Sequence, residues 1–193
     1  QEQYAQEFEC SWSAAVQGSY YGRLLEEAER DGRMTRINAD KTAKVETWWD
    51  LGIGDSTAIW FIQRIGPQIR VLDFYETNGE ALPHYAQVCL EKAAAGGWIY
   101  GDHVLPHDAK QRSLDTGNTR FDTLKSLGIP AKVALPAKIE DGIEAVRRLL
   151  PNCWFDEKKC NPGIASLRQY RAEYDEIRRT FRRSPVHDWA SHA

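Results

Sequence analysis

Between Val45 and Gly79 the chain carries three strongly apolar runs parted only by turn residues. They read VETWWDLG, STAIWFIQRIG and QIRVLDFYETNG, with Gly66-Pro67 and Asn78-Gly79 as punctuation. β-Branched and aromatic side chains dominate each run, which predicts strands. Links this short leave no room for a crossover helix, so they favour an antiparallel meander of three strands. Whatever else the chain does, it must build on that meander.

Helical and strand texture alternate downstream. LPHYAQVCLEKAAAGG places Pro83 in a first turn and Gly96-Gly97 at a stop, the usual asymmetry of a helix. WIYGD then reads as a short buried strand ending at Asp102, TRFDTLKSLGI as a helix and AKVALPA as a strand. In IEDGIEAVRRLL, the residues Ile139, Ile143, Val146 and Leu150 share one helical face. A last long helix is expected from Pro162, because Leu167, Tyr170, Tyr174, Ile177 and Phe181 recur at helical spacing. RRSP breaks it, and VHDWASHA starts one more helix. Residues 1–40 stand apart as a linker with an appended charged helix stopping at Gly32, and residues 41–193 form the main domain. Three antiparallel strands followed by α and β in alternation predict an α/β fold: a mixed sheet with helices on both faces, the order of a ribonuclease H-like domain.

Composition excludes some functions. The formal net charge is −3, which argues against a simple basic coat for DNA but allows an acid-lined site beside local basic patches. The cysteines, Cys10, Cys89, Cys153 and Cys160, show no CxxC spacing and no matching histidine pair, so they read as free thiols of a reducing compartment rather than a zinc site. No stretch approaches the roughly 18 apolar residues of a membrane span. The polar opening QEQYAQEFEC lacks the apolar core of a signal peptide and suggests a piece of a longer protein.

The chemistry rests on acids. Asp50 closes the first strand of the meander, just before a glycine-rich turn, and Asp102 closes the fourth strand. In a ribonuclease H-like sheet strands one and four are neighbours, so their terminal carboxylates would lie side by side and bind divalent cations to relieve their repulsion. An ordinary Asx-turn is the bland alternative for Asp50. Asp188 is the third candidate, and its alternative is a helix N-terminal acid. His192, four residues on, shares its helical face and is either a metal ligand or a surface histidine, with His187 nearby. Asp55 and Glu76 are lesser candidates. Oxygen-only ligands suit Mg²⁺ or Mn²⁺, and two such ions about 3.5–4 Å apart would activate water and stabilise the leaving oxygen of a phosphodiester. Lys110, Arg112 and Arg120 follow Asp102 and are placed to meet phosphates. Arg178, Arg179, Arg182 and Arg183 form a second basic cluster, either a solvated helix face or a DNA-backbone contact, for which Arg178 and Arg182 are the leading candidates.

FECSWSAAVQGSYYG, TWWDLGIGDSTAIWF, YGDHVLPHDAKQRSLDTGNTRFDTLKSLG and VHDWASHA, in that order, resemble the C-terminal nuclease domain of tailed-bacteriophage large terminase subunits. The resemblance covers nearly the whole chain. It implies a ribonuclease H-like, two-metal Mg²⁺ or Mn²⁺ endonuclease that cuts concatemeric double-stranded DNA in the cytoplasm of a bacterial host. It also implies an N-terminal ATPase domain, a portal protein and a small terminase subunit as partners, and no membrane. The chain contains no GxxxxGK[ST] phosphate loop. The family's first and second metal-binding acids map onto Asp50 and Asp102. SHA resembles the start of the family's closing motif, which leaves the third acid as Asp188 or a residue past Ala193. A resolvase- or integrase-type nuclease of the same fold is one competing reading, and a non-catalytic DNA- or portal-docking domain is another.

Overall fold

The computed structural model describes residues 16–52, 56–112 and 117–192, the side chains of Arg183 and His192 excepted. Its centre is a seven-stranded mixed sheet. The strands are β1 (Met34–Thr35), β2 (Val45–Asp50), β3 (Thr57–Ile65), β4 (Gln68–Thr77), β5 (Tyr100–Leu105), β6 (Ala131–Val133) and β7 (Cys153–Asp156), in the spatial order β1-β7-β4-β3-β2-β5-β6. β2, β3 and β4 form the expected antiparallel meander, and every other pairing is parallel. β5 lies directly beside β2, the neighbour relation the α/β order predicts.

Helices cover both faces. Residues at successive positions of β2 alternate between them, as a pleated strand requires. Val45 and Trp49 enter a cluster with Ile59, Phe61 and Leu72, sealed by Tyr85 and Cys89 of α2 (Leu82–Gly96) and Leu124 of α3 (Arg120–Ser126). Trp48 turns to the other face, where α1 (Gly22–Arg30), α4 (Ile139–Leu149) and α5 (Asn161–Gln169) contribute Leu25, Ile143 and Ile164. α5 comes unusually close to the sheet at Gly163, which lies against the rings of Trp60 and Phe74. No described helix is long and apolar enough to cross a membrane.

The division expected at residue 40 is not a division of packing. Leu25 is fully buried, and β1 extends the sheet by pairing with β7. Arg33, also buried, donates to the carbonyl oxygens of Leu150 and Cys153 at 3.0 and 3.1 Å and so ties the first elements to the start of β7. Gln63 likewise holds the connection into β2: its side chain accepts from the Asp40 N–H at 2.8 Å and donates to the Ala43 carbonyl at 2.7 Å.

The last long helix expected from Pro162 is a correction. It ends at Gln169, and the chain turns into a hairpin of β8 (Ala172–Asp175) and β9 (Thr180–Pro185). Tyr174 and Phe181, seven apart and so on one face of a notional helix, sit opposite each other across that hairpin with ring centroids 5.1 Å apart. The spacing that mimics a helix is thus a cross-strand pair. The closing segment is a short 3₁₀ turn, Trp189–His192. Of the cysteines, Cys89, Cys153 and Cys160 are buried free thiols, and Cys10 lies outside the described residues.

Candidate metal centre

Asp50 is the last residue of β2 and stands half-buried on the Trp48 face. Its register partner on β3 is Ala58, whose own partner on β4 is Glu76. Directly paired residues share a face. The carboxylates of Asp50 and Glu76 therefore rise on the same side of the sheet, with only the Ala58 methyl between their strands. Glu76 borders a cleft of about 420 Å³ shared with Ser56, Phe74 and Pro162.

β5 does not end where the sequence suggests. It runs on to Leu105, and Asp102 lies in its first half. Tyr100 pairs with Val45 and His103 with Thr47, leaving Gly101 and Asp102 opposite Glu46 alone in a bulge. Asp102 thus stands about four residues, roughly 13 Å along the strand, from the level of Asp50. That exceeds the reach of a two-ion centre, whose metals are about 3.5–4 Å apart. The Asp102 carboxylate is instead paired with Lys132 of β6 at 2.7 Å, both groups well exposed.

The acid at the matching end of β5 is Asp108. It lies in a 3₁₀ turn, His107–Lys110, directly after Leu105 and Pro106. The buried Ala109 seats that turn against the core. Arg120, the first residue of α3, joins it to β2. One guanidinium nitrogen lies 3.0 Å from the carbonyl oxygen of Leu51 and 3.8 Å from the Asp108 carboxylate. Leu51 follows Asp50, so a single side chain spans the two acid-bearing ends. α3 is itself fixed at its start, where the Thr119 hydroxyl accepts from the Asp122 N–H at 2.9 Å. The sequence reading passed over Asp108 because the register of β5 against β2, which sets the length of the strand, is a tertiary property.

Below the tips a buried polar chain couples the same strands. The Thr47 hydroxyl accepts from the Trp49 indole N–H at 2.7 Å and lies 2.6 Å from His103 Nδ1. A neutral imidazole can make this contact with either ring nitrogen carrying the proton, since the hydroxyl both donates and accepts. Burial pulls the His103 pKa down to about 4, with the nearby Asp102 opposing, which fits this neutral ring.

The remaining sequence candidates scatter. Asp188 accepts from the Ala190 N–H at 3.0 Å and pairs with Arg171 at 3.0 Å. The turn that follows it packs on α5, with Trp189 beside Met34 and Glu157 at the β1–β7 edge, several strands from β2. His187 Nδ1 lies 3.2 Å from the Ser191 hydroxyl. The His192 side chain and Asp55 lie outside the described residues. Lys110 and Arg112 are exposed, Lys110 with its ammonium 5.7 Å from the centre of the Phe121 ring. Arg182 is held by Glu173 at 3.1 Å and Asp175 at 3.3 Å, whereas Arg178 stands exposed in the β8–β9 turn.

The donors at the tip are carboxylate oxygens, the chemistry that suits Mg²⁺ or Mn²⁺. Among the described residues no group of three or more His, Cys, Asp or Glu side chains is arranged to hold a metal. Asp50 and Asp108 therefore fit as part of a metal site rather than as a complete one.

Neither protein-family models nor curated protein sequences match this chain. Solved structures do. The large terminase of a thermophilic bacteriophage, in complex with ADP, aligns with a TM-score of 0.62 at 14% identity, over 86% of this chain and 40% of that one. The P22 large terminase nuclease domain aligns at 0.57 and 14% identity over 78% of each chain. The large terminase nuclease domain of bacteriophage SPP1 with bound Mn aligns at 0.55 and 13% identity, over 82% of this chain and 87% of that one. This chain spans about 40% of the length of the ADP-bound large terminase. It has the ribonuclease H-like α/β fold of large terminase nuclease domains.

Proposed function

We propose that this chain is the nuclease part of a DNA-packaging large terminase, a divalent-metal-dependent endonuclease that hydrolyses phosphodiesters of double-stranded DNA. The observation that carries the reading is the placement of Asp50 and Asp108 at the same end of adjacent parallel strands, bridged through Arg120. The SPP1 domain that shares the fold holds Mn.

In this reading Asp50 and Asp108 hold the cation, with Glu76 the nearest further carboxylate on the Asp50 face. A bound divalent cation supplies a water of lowered pKa and a counter-charge for the leaving oxygen. Arg120 fixes Asp108 relative to the end of β2, which sets the spacing of the acids. Lys110 and Arg112, exposed on the turn and loop beside Asp108, meet backbone phosphates. The Thr47–His103 contact keeps β2 and β5 in register beneath the site. Asp188 is engaged by Arg171 and takes no part. The ADP-bound large terminase is longer than this chain, which covers 40% of it. In keeping with the terminase resemblance, we assign the chain an N-terminal ATPase domain, a portal and a small subunit as working partners in a host cytoplasm.

Plasmid nicking in Mn²⁺ tests the reading. Asp50→Asn and Asp108→Asn should each reduce cutting by more than the roughly 100-fold that loss of an outer-sphere partner costs, at unchanged melting temperature. Asp102→Asn should cut at close to the parent rate. Full cutting by both Asp50→Asn and Asp108→Asn ends the proposal.

A further inference from the structure

The β8–β9 hairpin lies outside the main sheet, and its two ends differ in character. The base is anchored. The Ala172 N–H donates to the Gly18 carbonyl at 3.0 Å, the Val186 N–H donates to the Arg171 carbonyl at 2.9 Å, and the Phe181 ring covers Gly18 so closely that a Cβ there would clash. The tip, residues 176–179, projects. Ile177 is 96% exposed, the most exposed large hydrophobic side chain among the described residues.

The tip is also ordered from within. The Asp175 carboxylate accepts from the Ile177 N–H at 3.1 Å and the Arg178 N–H at 3.0 Å. These backbone hydrogen bonds hold its carboxyl below the usual carboxylate range. Arg179 takes a left-handed φ of 51° to close the turn. Charge is divided unevenly. Arg182 is neutralised by Glu173 and Asp175, whereas Arg178 and Arg179 have no ion pair among the described residues, and Glu176 is the only acid beside them in the turn. An apolar side chain on a narrow two-stranded ribbon, flanked by exposed guanidiniums, has the form of a wedge for duplex DNA. Arginines meet the phosphates, and the apolar group enters between base steps.

We propose that the β8–β9 tip is a second DNA contact, in which Ile177 wedges into a base step while Arg178 and Arg179 hold the adjoining phosphates. The inference rests on the nuclease reading for its ligand, a DNA duplex. It changes the expected roles of the basic cluster: Arg178 and Arg179 bind, and Arg182 stiffens the ribbon.

The test is binding of the chain, in EDTA, to a duplex carrying 2-aminopurine at successive positions, followed by anisotropy and by 2-aminopurine fluorescence. The unsubstituted chain should raise fluorescence at one position, as an unstacked base does. Ile177→Ala should abolish that rise and weaken binding about tenfold with an unchanged salt slope. Arg178→Ala with Arg179→Ala should lower the slope of log affinity against log salt by roughly 2. Ile177→Leu should behave as the parent, which separates a wedge from a folding defect. Parental affinity and fluorescence in Ile177→Ala overturn the wedge, as does failure of the parent chain to bind. Mn²⁺ cleavage by the same preparations shows separately whether the nuclease reading stands.

Discussion

The guanidinium of Arg120 lies 3.0 Å from the carbonyl oxygen of Leu51, sixty-nine positions away in the chain, and reaches Asp108 from the same nitrogen. The side chain is only 20% exposed, so it is a brace between the acid-bearing ends of β2 and β5 rather than a free phosphate contact. Arg120→Ala should slow plasmid cleavage about 10- to 100-fold, the effect typical of losing an outer-sphere partner. The loss should fall on kcat, with the DNA affinity measured in EDTA nearly unchanged. An equal loss in affinity would make Arg120 a DNA ligand instead.

His103 makes stability depend on pH. Its folded pKa, near 4, lies below the ordinary 6.5, because burial of the ring outweighs the opposing charge of Asp102. The unfolded chain therefore takes up the proton first. Stability is full above the unfolded value and declines as pH falls from about 6.5 towards about 4, by about 3 kcal/mol in all. Urea unfolding at about pH 7 and about pH 4.5 should show a loss of roughly 2–3 kcal/mol in the parent beyond that in His103→Gln. Parallel pH profiles for the two proteins would remove His103 as the cause.

Gly163 is a packing residue. A Cβ at this position would stand 2.6 Å from Trp60 Cζ2 and 2.8 Å from Phe74 Cδ2, and both rings are held in the sheet face. Gly163→Ala should destabilise the domain by about 1–3 kcal/mol, despite the better helix propensity of alanine. Thermal melting should register the change as a drop of several degrees. A rise in melting temperature would show that α5 can lift without penalty.

The thiols should be silent until the domain opens. Burial pushes the Cys89 and Cys153 thiols up to about 12 and raises that of Cys160 as well. With Cys10 replaced by Ser, the native protein should not react with an aromatic disulfide reagent at neutral pH. Reaction should follow the unfolding rate in urea. Prompt labelling of one thiol in native buffer would contradict this packing.

The meander, α2, α3 and α4 were legible because each is written in local terms. Alternating apolar residues, Pro83, the Gly97 stop with its left-handed φ of 63°, and the Thr119 cap all act within a few residues of their own position. β7 was not legible. Its four residues, CWFD, follow α4 after a single turn, and only pairing with β4 and β1 makes them a strand. The hairpin was misread because Tyr174 and Phe181 meet across strands at a spacing that also suits a helix.

Of the proposed site, the sequence alone offered carboxylates at strand ends, and the structure places Asp50 at the end of β2 as that reading expects. Which acid stands beside Asp50 was decided only in three dimensions. The bulge at Gly101 and Asp102 arises where β5 pairs with β2, and it carries Asp102 away to Lys132 and leaves Asp108 at the tip. Backbone pairing between segments some fifty residues apart sets that register, and no local preference of WIYGDHVLPHD encodes where it falls.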